Sequence, residues 1–171
     1  MRRTSHHVHN DQRVHPHDLL AGHPVVLVPL SMLSTRPPML AQEQNYIDSM
    51  RDAYTRGDEL PPIVGTLEDG CVIQRDGNHR YHALHAAGCT HVAMILFRSV
   101  TDLFQALDIA QETASQRVAR EARSNAAAER LARIRAGKTR TTPSVVQQLE
   151  HMAQPPPRAI TQEEFDAEVA Q

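Results

Sequence analysis

Tryptophan is absent from this sequence, and the other aromatic residues are scarce. The 171 residues include three phenylalanines and three tyrosines, and aromatic side chains make up 4% of the chain. A hydrophobic core must therefore consist mainly of Val, Ile, Leu and Met, and a chain of this length suits one small domain. We expect no large apolar cavity for a substrate.

Cysteines and long apolar runs are also few. Cys71 and Cys89 are the only thiols, and neither has a CxxC partner. Thiols therefore provide neither a disulfide framework nor a four-cysteine zinc site, and the scattered histidines of residues 1–22 are not preorganised as metal ligands. No apolar run is long enough to span a membrane, and the polar first residues do not look like a secretory signal. We expect a cytoplasmic protein with no metal site and no membrane partner.

The net charge is small, but one segment is strongly basic. The whole chain carries a formal charge of −2, so no overall field attracts nucleic acid. Residues 117–140 hold eight basic side chains and two acidic ones, a net charge of +6. This segment favours contact with a DNA backbone or, alternatively, a solvated helix face. The candidate DNA-binding residues are Arg117, Arg120, Arg123, Arg130 and Arg133.

Composition divides the chain into four parts. Residues 1–22 are rich in histidine and lack an apolar period, which predicts a disordered arm. Residues 23–100 alternate short apolar runs with helical patterns and form the predicted domain. Residues 101–138 have high helix propensity and predict one long Arg-rich helix or a helix pair. Residues 139–171 contain a run of three prolines and predict a flexible tail with short helices.

The predicted domain is a compact mixed α/β unit. Residues 63–67 and 71–74 flank an Asp-Gly turn and predict a hairpin. A helix over residues 78–87 precedes residues 91–97, a continuous apolar run typical of a strand buried on both faces. Residues 42–56 favour an earlier helix. Its predicted core side chains are Tyr46, Ile47, Met50 and Tyr54.

Polar and imidazole groups concentrate where the hairpin leads into the second helix. The turn consists of Asp76, Gly77, Asn78, His79 and Arg80. Glycine lets the backbone approach a ligand closely, and the N–H groups of a helix N-terminus attract anions. A bidentate fork from the arginine and donors from His79 and His82 strengthen the attraction for phosphate. The pattern therefore predicts a phosphate-binding turn, while an ordinary Asp-Gly turn with a solvated arginine is the alternative.

Several motifs occur in a spaced combination. They are Leu60-Pro61-Pro62-Ile63-Val64, Asp69-Gly70-Cys71-Val72-Ile73, the turn from Asp76 to Arg80 with the following Tyr81-His82-Ala83, and Ala87-Gly88. With this combination, residues 24–98 resemble the ParB/sulfiredoxin superfamily. The resemblance implies that Gly77, Asn78, His79, Arg80 and His82 bind a nucleoside di- or triphosphate (CTP, ATP or ADP) with Mg²⁺. Ser49 aligns with a serine of that family that contacts the nucleotide.

Departures from the family pattern reduce the number of activities that the resemblance implies. Sulfiredoxins have a catalytic cysteine in this turn, whereas Asn78 stands there in this sequence, so sulfinic-acid repair is not expected. Partition proteins continue into helix-turn-helix and dimerisation domains, for which residues 99–171 leave too little room. The Asp-Gly-x-His-Arg form is similar to that of free-serine kinases and other small phosphotransferase-like members. That likeness makes Asp76 a base or a metal-associated carboxylate and His79 a contact of the transferred phosphate.

Three functions follow from these observations. The first is a nucleotide-binding protein that hydrolyses the nucleotide or transfers its phosphoryl group. The second is a non-catalytic, DNA-associated module of plasmid, phage or chromosome maintenance, in which the basic segment contacts DNA. A ParB-like nuclease ranks last because no carboxylate cluster for two-metal hydrolysis is present. Nucleotide and DNA are the expected partners, and a homodimer is left open.

Overall fold

The computed structural model describes residues 15–34, 41–139 and 141–170. In chain order the elements are α1 Pro16–Leu19, β1 Val26–Pro29, a 3-10 turn Leu30–Met32, β2 Leu33–Ser34, α2 Ala41–Thr55, β3 Ile63–Glu68, β4 Cys71–Asp76, α3 Asn78–Ala86, β5 His91–Phe97, α4 Val100–Ala110, α5 Ala114–Arg135, α6 Pro143–Ala153 and α7 Gln162–Val169. The predicted mixed α/β class, with a long Arg-rich helix after the sheet domain, is confirmed.

A five-stranded mixed sheet organises the domain. Its strand order is β1-β5-β3-β4-β2. β1 is antiparallel to β5 and β3 to β4, whereas β3 runs parallel to β5 and β2 parallel to β4. The predicted hairpin is β3–β4, and its turn residues Asp69 and Gly70 both have positive φ angles, 51° and 74°, as a tight hairpin turn requires. The two-residue strand β2 was not predicted.

The interior strand β5 has apolar side chains on both faces of the sheet, as its sequence predicts. Val92, Met94 and Leu96 belong to a core layer that also includes Leu84 of α3. The opposite layer contains Ile95 and Phe97 of β5 together with residues of α4. Burial on both faces explains why the run is continuously apolar rather than alternating.

The pairing of β3 with β4 contains a bulge in β4, where Arg75 is the extra residue directly before Asp76. The register between the two strands shifts between Val64 and Gly65, and Val64 pairs with Asp76. A Cβ at Gly65 would lie 2.8 Å from the carbonyl oxygen of Ile73, so only glycine fits this close approach. Because a bulge changes the direction of the strand and its side chains, it helps to set the direction in which Asp76 leaves the sheet.

The N-terminal region differs from the predicted disordered arm. Residues 1–14 lie outside the described residues, but residues 15–22 contain α1 and pack onto the sheet. Leu20 is fully buried in the layer that contains Ile95 and Phe97. Leu20 anchors this segment, and the adjacent pair Leu19-Leu20 leaves no periodic pattern in the sequence.

The C-terminal region also differs from the predicted flexible tail. Ile160 and Phe165 are 1% and 3% exposed and belong to the same core layer as Leu84. The backbone N–H of Ile160 donates to the carbonyl of Leu96 at 2.7 Å, beyond the point where β1 stops pairing with β5. The backbone N–H of Leu27 on edge strand β1 donates to Gln162 Oε1 at 2.7 Å. Residues 159–165 therefore cover the edge of the sheet, because they provide hydrogen-bond partners for a backbone carbonyl of β5 and a backbone N–H of β1 that strand pairing leaves free.

Capping interactions fix the start of α7. Thr161 and Glu164 form the predicted capping box. Hydrogen bonds from Arg158 and from the backbone of Thr161 lower the pKa of Glu164 to about 2. The carboxylate therefore stays charged at the positive end of the helix, where an anion is favourable.

The predicted helical extension is a pair of helices. α4 ends before residues 111–113, and α5 begins with a capping box between Thr113 and Gln116. α5 then packs against α6 through Ala127, Leu131 and Leu149. Among the residues that the structure describes, no helix is both long enough and apolar enough to cross a bilayer.

Candidate functional site

The candidate site surrounds the turn between β4 and α3. Gly77 has a φ of 94° and directly precedes α3, and no side chain caps this helix start. The first N–H groups of an α-helix have no partner within the helix, so those of Asn78, His79 and Arg80 are available to a ligand. The predicted anion-attracting backbone is therefore present.

Arg80 is fixed by protein acceptors. Its side chain is only 7% exposed. One terminal nitrogen, Nη1, donates to the carbonyl oxygens of Pro61 and Pro62 at 3.1 and 2.6 Å. The other, Nη2, donates to Asp76 Oδ2 at 2.7 Å. The predicted open fork for phosphate is thus a clamp that ties the turn to the segment leading into β3.

Gly77 is required for this clamp. A Cβ at Gly77 would lie 3.0 to 3.1 Å from three guanidinium atoms of Arg80. The positive φ also disfavours any side chain at this position. Glycine therefore serves both the turn conformation and the packing of the arginine.

Unsatisfied polar atoms cluster at the turn. Within the described parts of the chain, four buried side-chain atoms lack a hydrogen-bond partner: His17 Nδ1, Gln74 Oε1, Asn78 Nδ2 and His79 Nε2. Asn78 and His79 belong to the first turn of α3. The amide nitrogen of Gln74 lies 3.5 Å from the carbonyl oxygen of Asp76, and His17 Nδ1 lies 3.8 Å from Asp76 Oδ2. Each unsatisfied group costs about 1–3 kcal/mol, so such a concentration is typical of a site that receives a ligand.

Helix α2 forms one border of the site. Glu43 Oε1 lies 3.6 Å from His79 Nε2, and the ring of Tyr46 meets the His79 ring edge-on with a centroid distance of 5.3 Å. Tyr46 and Tyr54 are 53% and 39% exposed, so the prediction that both are core residues is wrong. Of the four predicted core residues of α2, only Ile47 is fully buried. Packing against α3 covers only part of the apolar face of α2.

Helix α1 forms the opposite border. The His17 side chain is 14% exposed and lies next to Asp76. Burial, followed by the positive charge of Arg80, lowers the pKa of His17. The imidazole is therefore neutral at pH 7 and presents one nitrogen as an acceptor. The ring also stacks on that of His15, with centroids 5.4 Å apart.

The structure brings together the predicted nucleotide-binding residues of the turn and of α3, whereas Ser49 lies on the neighbouring helix α2. His82 is half-buried on α3, with its ring edge-on to Tyr81. Ser49 is exposed on α2. At about 100° per residue it lies roughly 120° around the helix from Glu43 and roughly 60° from Tyr46, about one turn further along α2 than Tyr46.

The predicted DNA-binding arginines do not form one uniform group. Arg120 is half-buried and its Nε donates to Glu112 at 2.9 Å, so its charge is partly neutralised. Arg117, Arg123, Arg130 and Arg133 are exposed on α5. At about 100° per residue, Arg123, Arg130 and Arg133 fall within roughly 80° of one another, whereas Arg117 lies elsewhere on the helix.

Four residues at the site were not predicted as site residues. They are His17, Glu43, Tyr46 and Gln74. Gln74 is close to the turn in sequence, and a search for polar residues at the end of β4 could have found it. The other three come from α1 and α2, whose position against α3 is set by tertiary packing. Among the described residues, no group of three or more His, Cys, Asp or Glu side chains could hold a metal ion.

Comparison with known proteins gives two structural likenesses. No family model and no curated protein matches the chain. It is similar to sulfiredoxin from Arabidopsis thaliana, with 19% identity and a TM-score of 0.40, over 48% of this chain and 94% of that one. It is also similar to the C-terminally truncated chromosome-partitioning protein ParB from Caulobacter crescentus complexed with CTP-gamma-S, with 17% identity and a TM-score of 0.39. That likeness covers 50% of this chain and 49% of the ParB chain, so this chain spans about half of its length. Sulfiredoxin and ParB are the two groups of proteins after which the superfamily that residues 24–98 resemble is named.

Proposed function

We propose that this chain binds the phosphates of a nucleoside di- or triphosphate at the turn from Asp76 to Arg80, and that it hydrolyses the nucleotide or transfers its phosphoryl group. The observation that carries the proposal is the cluster of four buried, unpartnered polar atoms around this one turn. The uncapped start of α3 adds backbone N–H groups and the positive end of the helix dipole.

In this proposal the phosphate donors are the backbone of the first turn of α3, Asn78 Nδ2 and His79. Arg80 is a positioning residue, because its guanidinium already donates to Asp76 and to two carbonyls. Its buried positive charge still lies beside the bound phosphates and favours them electrostatically. His82 is half-buried one turn further along α3, where it can add a later contact.

Asp76 is the carboxylate at the turn. Mg²⁺ is usually held by one or two carboxylates together with substrate phosphates, so a single aspartate is a sufficient protein ligand for an ion that arrives with the nucleotide. Such an ion would neutralise phosphate charge. Arg80 holds Asp76 Oδ2 in place, and His17 Nδ1 lies 3.8 Å from the same oxygen. We therefore assign Asp76 the catalytic or metal-associated role and His79 contact with the transferred phosphate.

Binding is tested by calorimetry with ATP, ADP, CTP and GTP in the presence of Mg²⁺. Asn78→Ala removes an unpartnered donor without breaking an observed hydrogen bond, so we expect it to weaken binding while the melting temperature does not fall. Asn125→Ala, an exposed asparagine on α5, is the matched control. If none of the four nucleotides binds the unmodified protein, the proposal is refuted.

Turnover is tested separately by release of inorganic phosphate and by transfer of labelled phosphate. Asp76→Asn keeps the size of the side chain but removes its charge. We expect this variant to lose turnover while it still binds nucleotide. Binding without any turnover in the unmodified protein would leave a nucleotide-binding module and contradict the catalytic part of the proposal.

A second candidate function is contact with DNA through α5. The observation that favours it is the shared, exposed side of α5 that carries Arg123, Arg130 and Arg133. Arg130 and Arg133 are about 4.5 Å apart along the helix axis, and Arg123 lies about 10 Å before Arg130, so the three side chains can contact different phosphates of one DNA backbone.

DNA contact is tested by the salt dependence of binding to duplex DNA. The variant Arg130→Gln with Arg133→Gln should weaken binding and reduce the slope of log K against log salt by about 0.9 for each phosphate that the protein no longer neutralises. The pair Arg51→Gln on α2 and Arg56→Gln just after it removes the same charge from another surface and is the control. Equal reductions in both variants would show a general charge effect and contradict the assignment to α5.

A further inference from the structure

The turn and the α2 border of the candidate site differ in the ligand groups that they can accept. The turn itself presents hydrogen-bond donors, namely the N–H groups of α3 and Asn78 Nδ2. The α2 border presents the Glu43 carboxylate, which is 19% exposed and lies 3.6 Å from His79. A second anion on that side would meet a like charge, so the phosphates belong at the turn and an uncharged part of the ligand belongs beside α2.

Tyr46 offers that uncharged part an aromatic surface. Its ring is 53% exposed, and it meets His79 edge-on rather than face to face, with an interplanar angle of 84°. In either edge-on arrangement, at least one face of the tyrosine ring is uncovered by His79. Since His79 belongs to the first turn of α3, an open aromatic face lies one side chain away from the proposed phosphate donors.

We infer that Tyr46 stacks on the base of the bound nucleotide, an inference that rests on the proposed function. The phosphates occupy the α3 N-terminus and the base lies against the α2 border. Stacking requires only a π face, which every base has, so the site accepts purine and pyrimidine nucleotides alike and discriminates weakly between them. The ligand class is therefore a nucleoside polyphosphate with a loosely specified base.

The test compares nucleotides with inorganic tripolyphosphate, which has phosphates but no base. The affinities for ATP, CTP and tripolyphosphate are measured by calorimetry with Mg²⁺ for the unmodified protein and for Tyr46→Ala. Loss of one base–aromatic stack should weaken ATP and CTP binding by about 5- to 150-fold and leave tripolyphosphate binding unchanged. Tyr46→Phe keeps the π face and should bind all three ligands as the unmodified protein does.

Tyr54→Ala is the matched control. Tyr54 is an exposed tyrosine on the same helix, but its hydroxyl interacts with Cys89 rather than with the turn. We expect this variant to bind the three ligands normally. Melting temperatures of all variants establish that each is folded.

The other outcomes separate the inference from the function on which it rests. If the affinities for tripolyphosphate and for nucleotides fall together in Tyr46→Ala, Tyr46 acts through His79 on the phosphates, and the stacking inference is overturned. The inference is also overturned if neither affinity changes. If neither nucleotides nor tripolyphosphate bind the unmodified protein, the proposed function fails first and the stacking inference fails with it.

Discussion

Replacement of Gly77 by alanine tests whether the turn depends on the Arg80 clamp. Gly77 and Gly57 both have left-handed backbones, with φ angles of 94° and 100°. A Cβ at Gly57 would have no neighbour within 4 Å, whereas a Cβ at Gly77 would lie 3.0 Å from the Arg80 guanidinium. The two glycines therefore share the backbone effect of alanine and differ only in the contact with Arg80.

The expected magnitudes follow from these two terms. A left-handed alanine costs about 1–2 kcal/mol relative to glycine, and this cost applies to both variants. Arg80 cannot easily move away, because three hydrogen bonds of 2.6 to 3.1 Å hold it and its side chain is 7% exposed. Loss of one hydrogen bond to a charged group costs about 1.5–3 kcal/mol. We therefore expect about 1–2 kcal/mol of destabilisation for Gly57→Ala and about 2.5–5 kcal/mol for Gly77→Ala.

Urea denaturation of both variants and the unmodified protein gives these free energies of unfolding. The informative quantity is the difference between the two variants, since the backbone term cancels. A difference below about 0.5 kcal/mol would show that the guanidinium yields without cost, and the argument that Arg80 is a rigid clamp would be refuted.

Two further predictions concern the ends of the described chain. Phe165→Ala should lower the free energy of unfolding by about 3–5 kcal/mol, because the ring is buried against the sheet. Val169→Ala, at a 41% exposed position on the same helix, should change it by less than about 0.5 kcal/mol. If urea denaturation shows similarly small effects for both variants, the packing of the C-terminal segment onto the sheet is contradicted. Burial lowers the pKa of His17 and of His23 below 6.5, so the unfolded chain binds more protons than the folded one below that pH, and stability should fall as the pH drops through 6.5. The double variant with glutamine at both positions should show a weaker fall between about pH 7.5 and 5.5, and an unchanged slope would count against this assignment.

Local sequence signals predicted the helices and strands well, because turns, caps and apolar runs depend on residues that are close in sequence. The Asp69-Gly70 turn, the Thr161–Glu164 capping box and the apolar run of β5 each arise from residues that are close in sequence. The packing of Leu20 and Ile160 into the core was missed for the opposite reason. Each lies in a short apolar pair, Leu19-Leu20 or Ala159-Ile160, that shows no helix or strand period, and its burial depends on strands that are distant in sequence.

The candidate site divides in the same way. The turn from Asp76 to Arg80 is contiguous, so its composition alone predicted an anion site. Its borders are not contiguous, since His17 reaches it from α1 and Glu43 and Tyr46 reach it from α2. Tyr46 was predicted to be core because helical spacing indicates which residues share a face, but it does not indicate how much of that face a neighbouring helix covers.

Arg80 shows why a motif can be recognised while the role of its members is misjudged. Asp76 and Arg80 are four residues apart and pair across the turn, and Gly77 between them lacks the Cβ that would collide with the guanidinium. Arg80 therefore donates to Asp76 and to the carbonyl oxygens of Pro61 and Pro62. The side-chain atoms without a hydrogen-bond partner belong to the residues inside the motif, Asn78 and His79. It follows that substitution of Arg80 reports mainly on the integrity of the turn, whereas substitution of Asn78 reports on the ligand. The sequence alone favours the arginine as the residue to mutate, and the geometry reverses that choice.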